Sequence, residues 1–198
     1  MTVVEFEDVG LADKIQAKLE KNREGIHLSD LELCLKKSYY RRLYPQPLSL
    51  DQAIMYVVGL AVQEYMYPGE EKTYVLDGVD CSPDADGVEV KSTRAAMKNF
   101  DPLKPHWLFR MLGYCKVTDK LDWQLSVIFV IPAKMRSWVF SFTPEEIEEN
   151  WAFVVEKAES LRKALATGIP PEPDYHKDWE CGKCEFSGFC LNQIGRDK

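Results

Sequence analysis

Lys72-Thr73-Tyr74-Val75-Leu76-Asp77-Gly78-Val79-Asp80-Cys81-Ser82-Pro83-Asp84-Ala85-Asp86-Gly87-Val88-Glu89-Val90-Lys91-Ser92-Thr93 is the stretch that decides the fold. Residues 72–80 and 88–93 read as strands, and 82–87 is a run of turn formers between them. Asp80 closes the first strand and Glu89-Val90-Lys91 lies on the second, so an acid and an acid-any-lysine triplet share one strand junction. Side chains alternate along a strand, so Lys91 faces the same way as Glu89. Two carboxylates on neighbouring strands can hold Mg2+ or Mn2+ while leaving positions for water and a phosphate oxygen, and the Val90 carbonyl can enter the same site. The Lys91 ammonium can then orient the attacking water or offset charge at phosphorus. Among the nearby acids, Asp77 falls on the opposite face from Asp80, and Asp84 and Asp86 fall in the turn, where Asp serves the backbone. Asp80 is the best placed. The competing reading is an exposed hairpin with a cross-strand ion pair.

Working outward, Ser29-Asp30-Leu31-Glu32 has the form of a capping box and predicts a helix over 29–43, with Cys34 in its first two turns. Ser49-Leu50-Asp51-Gln52 is a second box, opening a helix that ends before Pro68-Gly69. Pro105 starts a helix over 105–117. Strands at 123–131 and 137–142 follow, separated by a turn at Pro132. Thr143-Pro144-Glu145-Glu146 then opens a long helix that runs to 167 and stops at Gly168. This order predicts one α/β domain over 1–198 with a mixed sheet. It has a helical region at 29–67, a core at 72–167 and a Cys-rich tail at 168–198.

The tail carries Cys181-Gly-Lys-Cys184-Glu-Phe-Ser-Gly-Phe-Cys190, three thiols in a run too compact to supply four. A tetrahedral centre needs one more ligand, and Cys34 is the candidate that would tie the two ends of the chain together. The alternatives are a structural zinc site and an iron–sulfur cluster. Cys81 and Cys115 read as buried small apolar residues. Secreted disulfide scaffolds are shorter and richer in cysteine, and residues 1–25 lack a signal peptide's apolar core. No stretch reaches the ~20 apolar residues of a membrane span. The expectation is a cytoplasmic protein with reduced thiols and no membrane contact. A net charge of −7 argues against coating nucleic acid by bulk electrostatics, but an enzyme whose carboxylates hold metal stays open. Lys36, Lys37, Arg41 and Arg42 crowd beside Tyr39, Tyr40 and Tyr44, as either a solvated helix face or a phosphate-contacting one. His27, His106 and His176 have no partner motif and read as structural or exposed. Together the thiol set and the acid-any-lysine junction point to a nuclease.

In motif order the chain resembles the CRISPR-associated, RecB-like iron–sulfur exonucleases of the PD-(D/E)XK superfamily. The resemblance runs from Ser29 to Cys190. It comprises Leu33-Cys34-Leu35-Lys36-Lys37-Ser38-Tyr39-Tyr40-Arg41, the Gly59…Gln63 helix, Asp80, Glu89-Val90-Lys91, the Arg110-Met-Leu-Gly-Tyr114 helix and the final C-x2-C-x5-C. It implies a restriction-endonuclease-like core with a central mixed sheet flanked by helices and a C-terminal cluster-binding segment. Cys34, Cys181, Cys184 and Cys190 would hold a [4Fe–4S] cluster, favoured over zinc. Asp80, Glu89, Val90 and Gln63 would hold Mg2+ or Mn2+, with Asp80, Glu89, Lys91 and Tyr114 as the catalytic set. The implied activity is a DNA exonuclease acting on single-stranded ends or overhangs, with CRISPR adaptation proteins or a second copy of the chain as further partners. Two positions depart from the pattern: Gln63 stands where the family has a metal-binding histidine, and Arg110 where it has glutamine. An amide oxygen is a poorer Mn2+ ligand than imidazole. The departures keep a second reading open, a DNA-end-binding or complex-forming subunit with weak or lost catalysis.

Overall fold

Asp77 and Gly78 both have positive φ, 50° and 69°, the geometry of a tight two-residue hairpin turn. They therefore divide the strand expected over 72–80 into β2 (Tyr74–Leu76) and β3 (Val79–Cys81), paired antiparallel. The turn is fastened to a helix beyond it. Trp151 Nε1 donates to the Asp77 carboxylate at 2.8 Å, and Arg162 Nη2 donates to the Asp77 and Gly78 carbonyls at 2.9 and 2.8 Å. This computed structural model describes residues 24–70, 72–131, 133–174, 178–182 and 184–194, with positions 10, 15 and 17. The expected turn residue Pro132, His176 and most of the 1–25 segment lie outside the described residues.

Two three-stranded sheets form among the described residues. In the first, β1 (Ile26–His27) lies parallel to β3, with His27 opposite Asp80, and β2 is on the other side. In the second, β4 (Val88–Thr93) pairs in parallel with β5 (Asp122–Phe129), and β6 (Lys134–Ser141) completes it antiparallel. The fold is mixed α/β, as expected, but the single central mixed sheet expected is replaced, among the described residues, by two three-stranded ones, because the turn at Asp77-Gly78 folds β3 back on β2 and pairs it with β1. β5 supplies the core by strict alternation: Trp123, Leu125, Val127 and Phe129 are all fully buried. Removing side chains of this size from water stabilises by roughly 1.5–3 kcal/mol each. Ser126, buried on the other face, is satisfied by Ser137 Oγ at 2.9 Å and Gln124 Nε2 at 2.8 Å.

The helix expected over 29–43 is interrupted. α1 (Leu28–Leu31) stops after one turn and α2 (Leu35–Leu43) starts afresh, leaving Cys34 at its N-cap instead of inside a helix. The box is shifted as well: the His27 N–H donates to Asp30 Oδ2 at 3.0 Å, so Asp30 closes the turn and Glu32 does not. α3 (Leu50–Met66) begins with the expected Ser49–Gln52 capping box. α4 (Pro105–Thr118) connects β4 to β5. α5 (Pro144–Thr167) starts on the Thr143–Glu146 box and ends at Gly168, φ 72°. Its buried stripe of Ile147, Trp151, Val154, Ala158 and Leu161 repeats at helical spacing. α6 (Asp178–Cys181) and α7 (Ser187–Ile194) carry the tail. None of the described helices is long and apolar enough to cross a membrane.

The tail is sewn onto α2. The first N–H groups of a helix lack intrahelical partners, and here the tail takes two of them. Cys34 N–H donates to Glu180 Oε1 at 3.3 Å and Leu35 N–H to Asp174 Oδ1 at 2.7 Å. Lys157, nearly buried, bridges its Nζ from the Leu33 carbonyl at 3.0 Å to Asp174 at 2.8 Å. Tyr40 meets Phe186 and Phe189 with ring centroids 5.9 and 5.2 Å apart. Two cations of the basic cluster on α2, Lys37 and Arg41, are consumed in the same contact by pairing with Glu185, while Arg42 turns to Asp30 of α1 and Lys36 is buried.

α1 and α4 approach so closely that a Cβ on Gly113 would lie 2.7 Å from Leu28 Cδ2, and Leu28 is itself buried. Alanine at an open helical position gains up to about 1 kcal/mol over glycine. Gly113→Ala should instead destabilise by about 1–3 kcal/mol through overpacking, read as a lower urea midpoint at unchanged slope.

Candidate active site on the edge of β4

The side chain of Glu89 is wholly buried. Its Oε1 receives two cations, Lys91 Nζ from the same strand face and Arg110 Nη1 at 3.0 Å from α4. Its Oε2 is buried without a hydrogen-bond partner among the described residues. Arg110 reaches further: Nε and Nη2 both contact Glu32 Oε2 at 2.8 Å, in the break between α1 and α2. Lys91 and Arg110 outweigh the effect of burial and hold the Glu89 carboxyl below its usual range. Burial likewise works against the Arg110 charge, but Glu32 foremost, then Tyr114 and Glu89, raise its pKa well above the ordinary value.

The second carboxylate at this place is Asp84, not Asp80. Asp84 Oδ2 accepts the Val90 N–H at 2.6 Å. Its carboxyl is pushed up to about 7, by burial first and by Glu89 next, with Lys91 pulling the other way. The Gly87 and Thr93 carbonyls accept from the β5 side, so the odd-numbered residues of β4 bond to β5. Val90 therefore turns both its N–H and its C=O toward the open edge, where Asp84 stands. Asp80 sits in the other sheet, 3.9 Å from His27 Nε2, with its Oδ2 3.1 Å from where a Cβ on Gly25 would lie. Its strand belongs to the β2–β3 hairpin, which pairs with β1 and not with β4.

Tyr114 lies one turn along α4 from Arg110. Its hydroxyl donates to the Ser82 carbonyl at 3.1 Å, and burial first, then Glu89, raise its pKa well above the ordinary value. His106, on the first turn of α4, belongs to the same neighbourhood. Its pKa falls to about 4 through burial and then through Lys104, Lys91 and Arg110. Gln63 lies on α3, one turn beyond Gly59. A Cβ on Gly59 would lie 3.5 Å from Ser92 Oγ, which sets α3 against the face of β4 opposite Glu89 and Lys91. The structure thus joins Glu89, Lys91, the Val90 backbone and Tyr114 with Asp84, Arg110, Glu32 and His106. The sequence reading missed Glu32, His106 and the placement of Asp84. Pro83-Asp84 beside the acid-any-lysine triplet was the available signal for Asp84; for Glu32 there was none.

The four expected thiols lie at the docking corner of α2. Cys190 is pushed up by burial foremost; Lys36 opposes the rise, and Cys184, Cys34 and Cys181 add to it, so each of those three is within electrostatic reach of Cys190. Burial foremost also raises Cys34. Among the described residues no three of His, Cys, Asp and Glu are set as ligands around one point, either here or at Glu89. Cys81 and Cys115 are buried elsewhere and pushed up to about 12 by burial.

No protein-family model matches the sequence, and no curated protein resembles it closely enough to count as a match. Among solved structures, SSO0001 superimposes with a TM-score of 0.62 at 16% identity, over 91% of this chain and 93% of that one. LHK-Exo, solved in complex with dAMP, gives a TM-score of 0.47 at 13% identity over 72% of this chain and 90% of its own. The chain shares the fold of SSO0001 over nearly the whole length of both.

An acid whose folded pKa is raised, here from 3.8 to about 7, stabilises the fold below its unfolded pKa and loses that contribution as pH rises through the folded value. Asp84→Asn removes the loss. In divalent-free buffer its stability relative to the parent should climb between about pH 4 and pH 7, by on the order of 2–4 kcal/mol. Urea denaturation across that range measures it, and a constant difference would mean that Asp84 ionises as freely as in water.

Proposed function

We propose that this chain is a divalent-metal-dependent deoxyribonuclease with a restriction-endonuclease-like core. The observation that carries the reading is the buried Glu89 carboxylate, with two cations on Oε1, an Oε2 without a hydrogen-bond partner among the described residues, and Asp84 within electrostatic reach at the open edge of Val90. That donor set is all oxygen and carries negative charge, which suits Mg2+ or Mn2+. Glu89 Oε2, Asp84 and the Val90 carbonyl would hold the ion, with Asp84 taking the place first given to Asp80. When bound there, the ion supplies Lewis acidity toward a phosphate oxygen and lowers the pKa of water. Lys91 orients the attacking water and offsets charge at phosphorus. Tyr114 braces the Ser82 segment that leads into Asp84. The preference for single-stranded ends or overhangs, and CRISPR adaptation proteins as partners, follow from the family resemblance.

Cys34, Cys181, Cys184 and Cys190 suit a [4Fe–4S] cluster in donor chemistry and in their gathering at one corner. In this reading the cluster is structural and locks the tail onto α2, next to contacts that already do so through Glu180 and Asp174. The second reading, an end-binding subunit without efficient chemistry, draws on Arg110, whose charge already occupies Glu89 Oε1.

Lys91→Ala should cut end-labelled single-stranded DNA about 10²–10³-fold more slowly in Mn2+, with folding and DNA binding retained. A Lys91→Ala protein that cuts like the parent would overturn the assignment; a parent that binds ends and cuts neither single- nor double-stranded DNA would favour the end-binding subunit.

Protein purified anaerobically should carry about four irons per chain, and Cys34→Ser should lose them while Cys81→Ser and Cys115→Ser keep them. Stoichiometric zinc without iron would replace the cluster by a zinc site.

A further inference from the structure

Arg110 is placed between two carboxylates and shared unequally between them. Two of its nitrogens, Nε and Nη2, are on Glu32 Oε2 at 2.8 Å, and the third, Nη1, is on Glu89 Oε1 at 3.0 Å. Glu32 lies in the break between α1 and α2, Glu89 on β4 and Arg110 on α4, so the guanidinium joins three separate elements. Both contacts are shielded, Arg110 being 17% exposed and Glu89 1%, so water screens the charges weakly. Each carboxylate competes with the other for the same cation.

We propose that Arg110 is a positioning residue that sets how tightly the Glu89 site takes a divalent cation, with Glu32 drawing the guanidinium away from Glu89. The inference rests on the metal-site reading given above. A positive charge on Oε1 repels a divalent ion approaching Oε2 of the same carboxylate, and it withdraws negative charge the ion would otherwise use. The closer Arg110 stays to Glu89, the weaker the ion binds. Glu32 lowers that cost by offering the guanidinium a second anion. Removing Arg110 should therefore tighten ion binding, and removing the Glu32 charge, which leaves Arg110 with Glu89 alone, should weaken it. A purely structural ion pair behaves differently: loss of either partner loosens the same three elements, so both losses shift ion affinity in the same direction.

The test is a calorimetric titration of Mn2+ into the DNA-free full-length protein, for the parent, Arg110→Gln and Glu32→Gln, with thermal melts of each in EDTA. Interactions between unit charges at such separations and intermediate dielectric correspond to about ten- to a hundredfold in affinity. Arg110→Gln should bind Mn2+ tighter by about that factor and Glu32→Gln weaker, even though both melt below the parent. Shifts in the same direction, or no shift, with the parent still binding Mn2+, would overturn the role of Arg110 and leave the metal site standing. If neither the parent nor Arg110→Gln binds Mn2+, the metal site itself fails and the inference falls with it. Should Arg110→Gln not fold, Glu32→Gln decides alone: unchanged or tighter binding overturns the proposal.

Discussion

A carboxylate taken wholly out of water, as Glu89 is, must be compensated by charge and hydrogen bonds, because a buried ion without a partner costs several kcal/mol. Much of the local architecture follows from that requirement. Lys91 meets it in part, and Arg110 brings a second cation from α4 to the same oxygen, Oε1. A buried guanidinium has five donors to satisfy, and Arg110 finds its second acceptor in Glu32. Glu32 meets Arg110 from the break between α1 and α2, where the helix expected over 29–43 is interrupted. The break exposes the first donors of α2.

Those donors explain why the tail docks where it does. Cys34 and Leu35 present backbone N–H groups at a helix N-terminus, where the dipole also favours negative charge. Glu180 and Asp174 supply carboxylates, while Lys157 fills the carbonyl left by Leu33 and neutralises Asp174. The same α2 face spends Lys37 and Arg41 on Glu185 and packs Tyr40 on two tail phenylalanines. These matched polar groups bring the tail that carries Cys181, Cys184 and Cys190 against the N-terminus of α2, where Cys34 stands. Glu89 and Cys34 are thus linked through a short series of bonded groups: Arg110, Glu32 and the backbone of the break.

What could be read from the sequence was what local chemistry decides. The boxes at Ser49 and Thr143, Pro105 and Gly168 mark helix ends by rules that act within four residues, and the structure has all of them. β4 and its Glu89–Lys91 face follow from period-two alternation. The failures are tertiary. At 29–43 the local box expected at Ser29 gives way to one closed by Asp30 on the His27 N–H. At 72–80 the Asp77-Gly78 signal was present, and a two-residue turn there uncouples Asp80 from β4 and hands it to His27. Asp84 was assigned to backbone duty in a turn, and it does bond a backbone N–H; that same bond is what fixes its carboxylate beside Glu89. The basic cluster on α2 gave no hint that Glu185, the partner of Arg41, was 144 residues away.

The charges at the β4 edge also balance in a particular way. Glu32 and Glu89 are matched by Arg110 and Lys91, so this buried set is neutral when Asp84 carries its proton. Burial and then Glu89 raise Asp84 to about 7, well above the ordinary carboxylate range. His106, held near 4 by burial and by Lys104, Lys91 and Arg110, contributes no charge there. A further cation can enter such a site favourably only if Asp84 gives up its proton or Arg110 yields its place on Glu89, because two positive charges added to a buried neutral cluster meet no free anion. The proton on Asp84 and the position of Arg110 are therefore two sides of one electrostatic constraint, and both trace back to the burial of a single carboxylate.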